Sequence, residues 1–204
     1  GINPVMAEGK KTVSFEIAEQ LNWEPTDWVV LSVGDGCTVG GVYLGFRDLY
    51  ETGLIDRIPK ILGVQSCGCS PFFDAGTECR ALIPTAENTC ADSISVGVPR
   101  NTVKAQRAVA ASGGEWVAVP DEEILAAMSL LGRTEGIFGE PAGVTGTAGI
   151  KAAMEQGIIR PNETVTVIVT GNGLKDTKNA LAAAGSSVKS KPTLEALQAS
   201  GILD

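Results

Sequence analysis

Histidine is absent from this 204-residue sequence. Its absence excludes Ser-His-Asp and Cys-His catalysis, and it excludes every metal site that needs an imidazole ligand. If the chain belongs to an enzyme, its acid–base chemistry must come from Lys, Asp, Glu, Cys or a bound cofactor. The missing residue type therefore directs attention to cofactor chemistry.

Long runs of apolar or like-charged residues are also missing. No apolar run approaches the ~18 residues of a membrane helix, and no cationic-then-apolar segment opens the chain as a signal peptide would. The formal net charge is −8, which disfavours nucleic acid and anionic membranes as partners. Because 44% of the residues are hydrophobic, a substantial core is possible, and we predict a single domain over residues 1–204.

Cysteine is present in an odd number and at irregular spacing, which does not resemble a disulfide framework. The five residues are Cys37, Cys67, Cys69, Cys79 and Cys90. A reduced, cytoplasmic protein is the simplest interpretation. Cys67 and Cys69 form a C-x-C pair, but no second pair follows at zinc spacing. We predict no metal site and a structural or incidental role for both thiols.

Short apolar runs alternate with helical patterns along most of the chain. Buried strands are predicted at 28–33, 60–66, 115–120 and from 163 to about 169, and helices at 10–21, 39–51, 102–112, 121–136, 144–157 and 193–203. Asp121 is predicted as the N-cap of its helix. The interval 67–101 lacks a clear period and is expected to be a long loop. The alternation predicts an α/β fold in which helices flank a parallel sheet.

A glycine-rich loop joins the first predicted strand to the next helix. Four glycines fall within eight residues: Gly34, Gly36, Gly40 and Gly41. The loop lacks the Gly-Lys-Ser/Thr of a P-loop, and its third glycine comes one position late for G-x-G-x-x-G. Backbone N–H groups at a helix start can nevertheless bind a phosphate, and Thr38 can add a hydroxyl. A tight turn without a ligand is the alternative, and this loop alone leaves both open.

A second predicted strand also ends in a glycine loop, "TGNGLKD", which begins at Thr170. In open parallel sheets, ligands bind beyond the carboxyl ends of the strands. We therefore predict that loops 34–38 and 170–174 lie at one edge of the sheet, within reach of one ligand. This pairing favours a cofactor site over a bare turn.

The ordered set of motifs resembles the threonine synthases, members of the fold-type-II, tryptophan-synthase-β-like family of pyridoxal-phosphate (PLP) enzymes. The segments that carry the resemblance are "NPVMAEGKKTVSFEIAEQL", "DWVVLSVGDGCTVGGVYLGFRDL", "PRNTVKAQRAVAASGGEWVAVPDEEILAAMSLLGRTEGIFGEPAG" and "VTVIVTGNGLKD". They run from residue 3 to about 178. The resemblance implies the large-domain half of a fold-type-II enzyme, PLP as cofactor, and β/γ-elimination or replacement on an amino-acid substrate.

The resemblance also assigns roles to individual residues. The loop that binds the cofactor phosphate corresponds to Gly34, Asp35, Gly36, Cys37 and Thr38. Thr170 matches the hydroxyl placed against the pyridine nitrogen, and Glu140 lies in the segment beside the cofactor ring. A neutral hydroxyl partner leaves that nitrogen unprotonated, which suits elimination or replacement over transamination. From the residues alone, Glu140 is equally well a carboxylate at a helix start.

The family's Schiff-base lysine has no counterpart in these segments. The sequence is therefore interpreted as a C-terminal portion that is inactive alone, and a homodimer or a partner segment supplying the remainder is expected. Among the lysines present, Lys175 follows the Thr170 loop. We predict that it serves a structural ion pair.

The segment that the resemblance assigns to substrate binding also departs from the family's sequence pattern. Shortly after Asn3, threonine synthases carry an arginine that helps to bind the substrate phosphate, and here Met6 takes its place. Lys10 or Lys11 can supply a point charge but not the fork geometry. An unphosphorylated substrate, as in the related 2-amino-4-oxopentanoate thiolase β subunit, therefore remains an alternative. A non-catalytic α/β ligand-binding domain is the third functional interpretation.

Overall fold

The computed structural model describes residues 3–185 and 189–200. Within these residues, four strands form one parallel sheet in the order β3-β2-β1-β4. The strands are β1 (Trp28–Ser32), β2 (Lys60–Ser66), β3 (Glu115–Val119) and β4 (Val165–Ile168). The α-helices are α1 (Pro4–Gln20), α2 (Cys37–Glu51), α3 (Pro71–Ala75), α4 (Thr102–Ala111), α5 (Asp121–Thr134), α6 (Pro141–Glu155), α7 (Thr177–Ala184) and α8 (Leu194–Ala199). Short 3-10 turns occupy Asp92–Ile94 and Gly173–Asp176.

Helices cover both faces of the sheet, which explains why the central strands are almost continuously apolar. Side chains alternate along β1, so that Val30 belongs to the core cluster that contains residues of α5 and α6, while Val29 and Leu31 belong to the cluster that contains residues of α1, α2 and α4. The expected α/β fold with a parallel sheet flanked by helices is confirmed.

Helix α6 approaches the sheet closely because small residues recur along its inner face. Gly146 lies over β1, where an added Cβ would be 3.5 Å from Leu31 Cα. One turn further, a Cβ at Gly149 would overlap the side chain of Val64 in β2. The glycines therefore set the distance between α6 and the sheet, and with it the position of the residues at the start of α6.

The element boundaries differ from the predicted ones mainly at the first helix. Helix α1 begins at Pro4 instead of near residue 10, because the Asn3 side chain accepts a hydrogen bond from the Val5 amide at 3.0 Å and Pro4 occupies the first turn. The predicted C-terminal helix appears as α8, and positions 201–203 of that prediction lie outside the described residues.

The prediction that Asp121 caps α5 is wrong, since Pro120 occupies the N-cap position. The Asp121 carboxylate instead accepts hydrogen bonds from the Ser66 hydroxyl at 2.9 Å, the Thr89 hydroxyl at 2.6 Å and the Cys90 amide at 2.6 Å. Burial acts to raise the pKa of Asp121, but these hydrogen bonds outweigh it and lower the pKa below its ordinary value. Asp121 therefore ties the irregular 67–101 segment to the end of β2.

None of the helices in the described part of the chain has the length and hydropathy needed to cross a membrane. The same residues contain no group of three or more His, Cys, Asp or Glu side chains that could hold a metal ion.

Candidate functional site

The two glycine loops open into one cavity of about 340 Å³ at the carboxyl edge of the sheet. Strands β1 and β4 are adjacent and parallel, so the loops that follow them emerge side by side. Residues 34–38 line one part of the cavity, and Thr170 and Gly171 line another. The prediction that the two loops lie at one edge of the sheet is confirmed, and whether they hold one ligand stays a prediction. The volume lies within the range of small-molecule sites, roughly 300–1,000 Å³.

The start of α2 forms the floor of the first part of the cavity. Gly36 occupies the N-cap with φ of 82°, and no side chain caps the helix. A Cβ at this position would lie 2.8 Å from the Cβ of Ala105, so both the conformation and the space require glycine. The Gly40 amide donates to the Gly36 carbonyl at 3.2 Å. The preceding amides of the first turn have no acceptor within the helix, which leaves them for an anion.

Asp35 connects the first loop to the end of the 67–101 segment. Its carboxylate accepts hydrogen bonds from the Arg100 amide at 2.7 Å and from the Asn101 side-chain amide at 2.8 Å. The Asn101 backbone amide also donates to the Asp35 carbonyl at 3.1 Å. On the other side of the loop, a Cβ at Gly34 would lie 2.8 Å from Ile94 Cα. These contacts hold the loop against the irregular segment.

The second loop is held by a short antiparallel pairing with the segment before α6. The Glu140 amide donates to the Gly171 carbonyl at 2.9 Å, and the Gly173 amide donates to the Phe138 carbonyl at 2.9 Å. Thr170 is exposed and lines the cavity. The pairing therefore fixes the backbone immediately after the hydroxyl that the family resemblance assigns to the ring nitrogen.

Glu140 is buried at the start of α6 and also lines the cavity. The interpretation of Glu140 as a carboxylate at a helix start is confirmed, because Glu140 occupies the N-cap of α6; its place beside a cofactor ring stays a prediction. Its carboxylate forms an ion pair with Lys175 at 2.8 Å. The predicted ion pair of Lys175 is confirmed, and it lies in the wall of the cavity.

Helix α1 brings one of the predicted substrate residues to the cavity, which Lys10 lines. The Lys11 ammonium is engaged by Asp48 at 2.7 Å and by Glu8 at 2.8 Å. The hydrogen bond to Asp48 and then the one to Glu8 raise the pKa of Lys11. Asn3 caps α1. The structure thus leaves Lys10 as the cation of α1 that faces the site.

The residues that line the cavity without having been identified from the sequence include Ser32, Ser93 and Ile94. Ser32 ends β1 directly before the glycine loop, so its position in the chain was a usable signal. Its hydroxyl accepts a hydrogen bond from the Gly146 amide at 3.0 Å. Ser93 and Ile94 come from the segment without periodicity, where no sequence pattern indicated a role.

The cysteines near the site differ in environment. Cys37 is buried in the first turn of α2 and lines the cavity. Burial, and then the neighbouring Asp121 carboxylate, raise the pKa of Cys90 to about 12. Burial, followed by the charge of Asp121, also raises the pKa of Cys67. Cys90 and Cys67 are therefore neutral thiols near pH 7, which argues against a nucleophilic role.

Relatives of known structure share this architecture. An L-serine ammonia-lyase from Rhizomucor miehei superposes with a TM-score of 0.70 at 22% identity, covering 83% of this chain and 53% of that one. The processed form of threonine deaminase isoform 2 from Solanum lycopersicum gives 0.68 at 24% identity, covering 87% and 49%. These similarities confirm the fold-type-II architecture expected from the sequence.

Sequence comparison identifies much closer relatives. The threonine synthase of Methanocaldococcus jannaschii is 42% identical over 190 residues, which is 92% of this chain and 47% of that protein. The threonine synthase of Mycobacterium tuberculosis is 38% identical over 181 residues, covering 88% and 48%. The chain therefore spans about half the length of these relatives. Residues 1–171 match the profile described as "Pyridoxal-phosphate dependent enzyme", and the chain belongs to this family, whose cofactor is pyridoxal phosphate.

Proposed function

We propose that this chain forms the cofactor-binding portion of a threonine-synthase-like, PLP-dependent lyase that acts on an amino acid by β/γ-elimination or replacement. The observation that carries the proposal is the cavity that an uncapped helix start and the Thr170 loop both line. A helix start that can bind an anion and a second loop that offers a hydroxyl would suit the phosphate and the ring nitrogen of PLP. A bare turn would need neither the second loop nor the shared cavity.

The residues present fit this cofactor. The first-turn amides of α2 provide donors for a phosphate, and Thr38 adds a hydroxyl at the same helix start. Gly34 and Gly36 have no space for a Cβ against Ile94 and Ala105, so glycine at these positions lets the loop pack closely at the start of α2. Thr170, which lines the cavity, would offer a neutral hydroxyl to the ring nitrogen. When bound, PLP supplies the electron sink for negative charge developing on the substrate.

The named relatives favour O-phosphohomoserine as the substrate. In that case Lys10 is the cation of α1 that meets the substrate phosphate, since it lines the cavity. One observation favours a second candidate, an unphosphorylated amino acid. Met6 is 53% exposed and stands four residues before Lys10, hence on the same face of α1. A methionine on that face offers no charge to a phosphate dianion.

The test uses the purified full-length enzyme, wild type and Met6→Arg, with O-phosphohomoserine, homoserine and 2-amino-4-oxopentanoate as substrates. PLP binding is titrated first by absorbance. Turnover of the phosphorylated compound, improved by Met6→Arg, supports the threonine-synthase reaction. Turnover of unphosphorylated compounds alone supports the second candidate. If PLP does not bind, the proposal fails, and a non-catalytic ligand-binding domain is the better description.

The proposal includes a homodimer, or a partner segment that completes the enzyme. Light scattering gives the molar mass, and hence the oligomeric state, of the full-length protein and of residues 1–204. A monomeric full-length protein that retains full activity would contradict the homodimer.

A further inference from the structure

The Glu140–Lys175 ion pair is asymmetric in exposure. The Glu140 side chain is 8% exposed and that of Lys175 is 60% exposed, with the charged atoms 2.8 Å apart. Both residues line the cavity described above, and both also line an adjoining cavity of about 270 Å³. The lysine thus reaches from the surface to a carboxylate inside the wall of the site.

The carboxylate lies directly behind the Thr170 loop. A Cβ added at Gly171 would overlap the Glu140 carboxylate, so the Glu140 side chain lies in contact with the residue after Thr170. The Glu140 amide also donates to the Gly171 carbonyl at 2.9 Å. The hydroxyl assigned to the ring nitrogen and a buried carboxylate therefore share one wall of the cavity.

These two neighbours have opposite effects on a pyridine nitrogen. A neutral hydroxyl does not require the nitrogen to carry a proton, whereas a negative charge within about 4–6 Å favours the protonated, cationic form. A buried carboxylate such as that of Glu140 is less screened than one at the surface, so it exerts this effect more strongly at a given distance. The partial positive charge at the start of α6 offsets only part of a full charge. A full positive charge in addition to this partial charge is therefore needed to neutralise Glu140.

We propose that Lys175 is a positioning residue that masks the charge of Glu140 and so keeps the cofactor's ring nitrogen unprotonated. The proposal rests on the proposed PLP function. It makes Lys175 a determinant of reaction type, because an unprotonated nitrogen is the weaker electron sink and disfavours transamination. The other ionisable groups that line the two cavities are Lys10, Asp35, Cys37, Cys90, Asp92 and Asp176.

The experiment measures the ring nitrogen directly, by NMR of ¹⁵N-labelled PLP bound to the full-length enzyme over a range of pH. Lys175→Met should raise the pH at which the nitrogen loses its proton by about 1–3 units, because Glu140 is then unmasked. Lys175→Arg, which keeps the charge, should behave as the wild type. Lys151→Met is the matched control, since Lys151 pairs with Glu123 at 2.8 Å on an exposed helix surface.

The double variant Glu140→Gln, Lys175→Met separates charge masking from a merely structural role. With both charges removed, the nitrogen should return to wild-type behaviour even if the loop is less stable. An unchanged nitrogen in Lys175→Met, or a double variant that stays shifted, would overturn the inference. If Lys175→Met does not retain PLP, Lys175→Gln is measured in its place, since it also removes the charge and should give the same shift. Absence of PLP binding by the wild type would instead reject the proposed function.

Discussion

Thr170 is a residue whose side chain can be changed without disturbing the packing, because it is exposed at the edge of the cavity. Thr170→Val removes the hydroxyl and keeps the shape. We expect the full-length enzyme to fold and bind PLP but to lose roughly two- to ten-fold in kcat, the equivalent of one neutral hydrogen bond of about 0.5–1.5 kcal/mol. Steady-state kinetics measure the loss, and Thr170→Ser should restore most of it. Wild-type kcat in Thr170→Val would reject the assigned role.

Asp121 gives a prediction about pH. Its three hydrogen-bond donors favour the charged form, so its pKa is lower in the folded chain than the ordinary value of about 3.9. A lowered folded pKa contributes stability that is full above the unfolded pKa and is lost as the pH falls through the folded pKa. Asp121→Asn should therefore cost about 1–3 kcal/mol of unfolding free energy near pH 7.

Urea unfolding at several pH values checks this expectation. The difference between wild type and Asp121→Asn should shrink below about pH 3.9, as the wild-type carboxylate begins to take up a proton. Asp56→Asn is the control, because the Asp56 side chain is 81% exposed. A difference that is independent of pH would show that Asp121 acts through shape and not through charge.

At the scale of elements, the spacing between α6 and the sheet decides where the site residues stand. Gly149 has no space for a methyl group against Val64, whereas Gly132 in α5 has no neighbouring atom within 4 Å of an added Cβ. Gly149→Ala should therefore overpack this contact, which should lower the free energy of unfolding by about 1–3 kcal/mol and with it the melting temperature. Gly132→Ala should raise the melting temperature, because alanine's higher helix propensity adds up to about 1 kcal/mol to the free energy of unfolding.

Thermal unfolding of the two variants provides the comparison. Because α6 carries Glu140 at its start, Gly149→Ala should also weaken PLP binding by the full-length enzyme, which Gly132→Ala should not. Equal effects of the two substitutions on melting temperature would show that the helix can move away from the sheet without cost.

At the scale of the whole molecule, the lysines can be tested together. None of the nine is buried. Of the two that line the cavity, Lys175 is held by Glu140 and Lys10 lies on α1. A Schiff-base lysine needs a buried or cation-flanked setting that lowers its pKa. We therefore expect residues 1–204 to show no PLP-dependent turnover alone and no stoichiometric lysine labelling.

Incubation with PLP, reduction with borohydride and peptide mass spectrometry test this expectation. Lys10→Arg and Lys175→Arg identify any labelling that comes from the cavity. Stoichiometric modification of one lysine, accompanied by turnover, would contradict the prediction and show that residues 1–204 form a complete enzyme.

The amino-acid sequence by itself determined the fold class and the general place of the site. Apolar runs such as 28–33 and 60–66 indicate strands that are buried on both faces. The glycine loops 34–38 and 170–174 each follow a predicted strand, and such loops lie at one sheet edge if their strands are parallel and adjacent. These patterns are local, because a few neighbouring residues are enough to produce them. The start of α1 was missed although Asn3 and Pro4 were visible signals, since the apolar period begins only later.

Only the tertiary structure decided which side chains meet. Asp121 looked like a helix cap, yet donors from two distant segments, at Ser66 and Thr89, take its carboxylate away from α5. Lys10 and Lys11 are neighbours in the chain, but the turn of the helix directs one to the cavity and the other to Asp48. Ser93 reaches the site from a segment without a pattern. Such pairings depend on contacts between residues far apart in the chain, and no local property of the sequence encodes them.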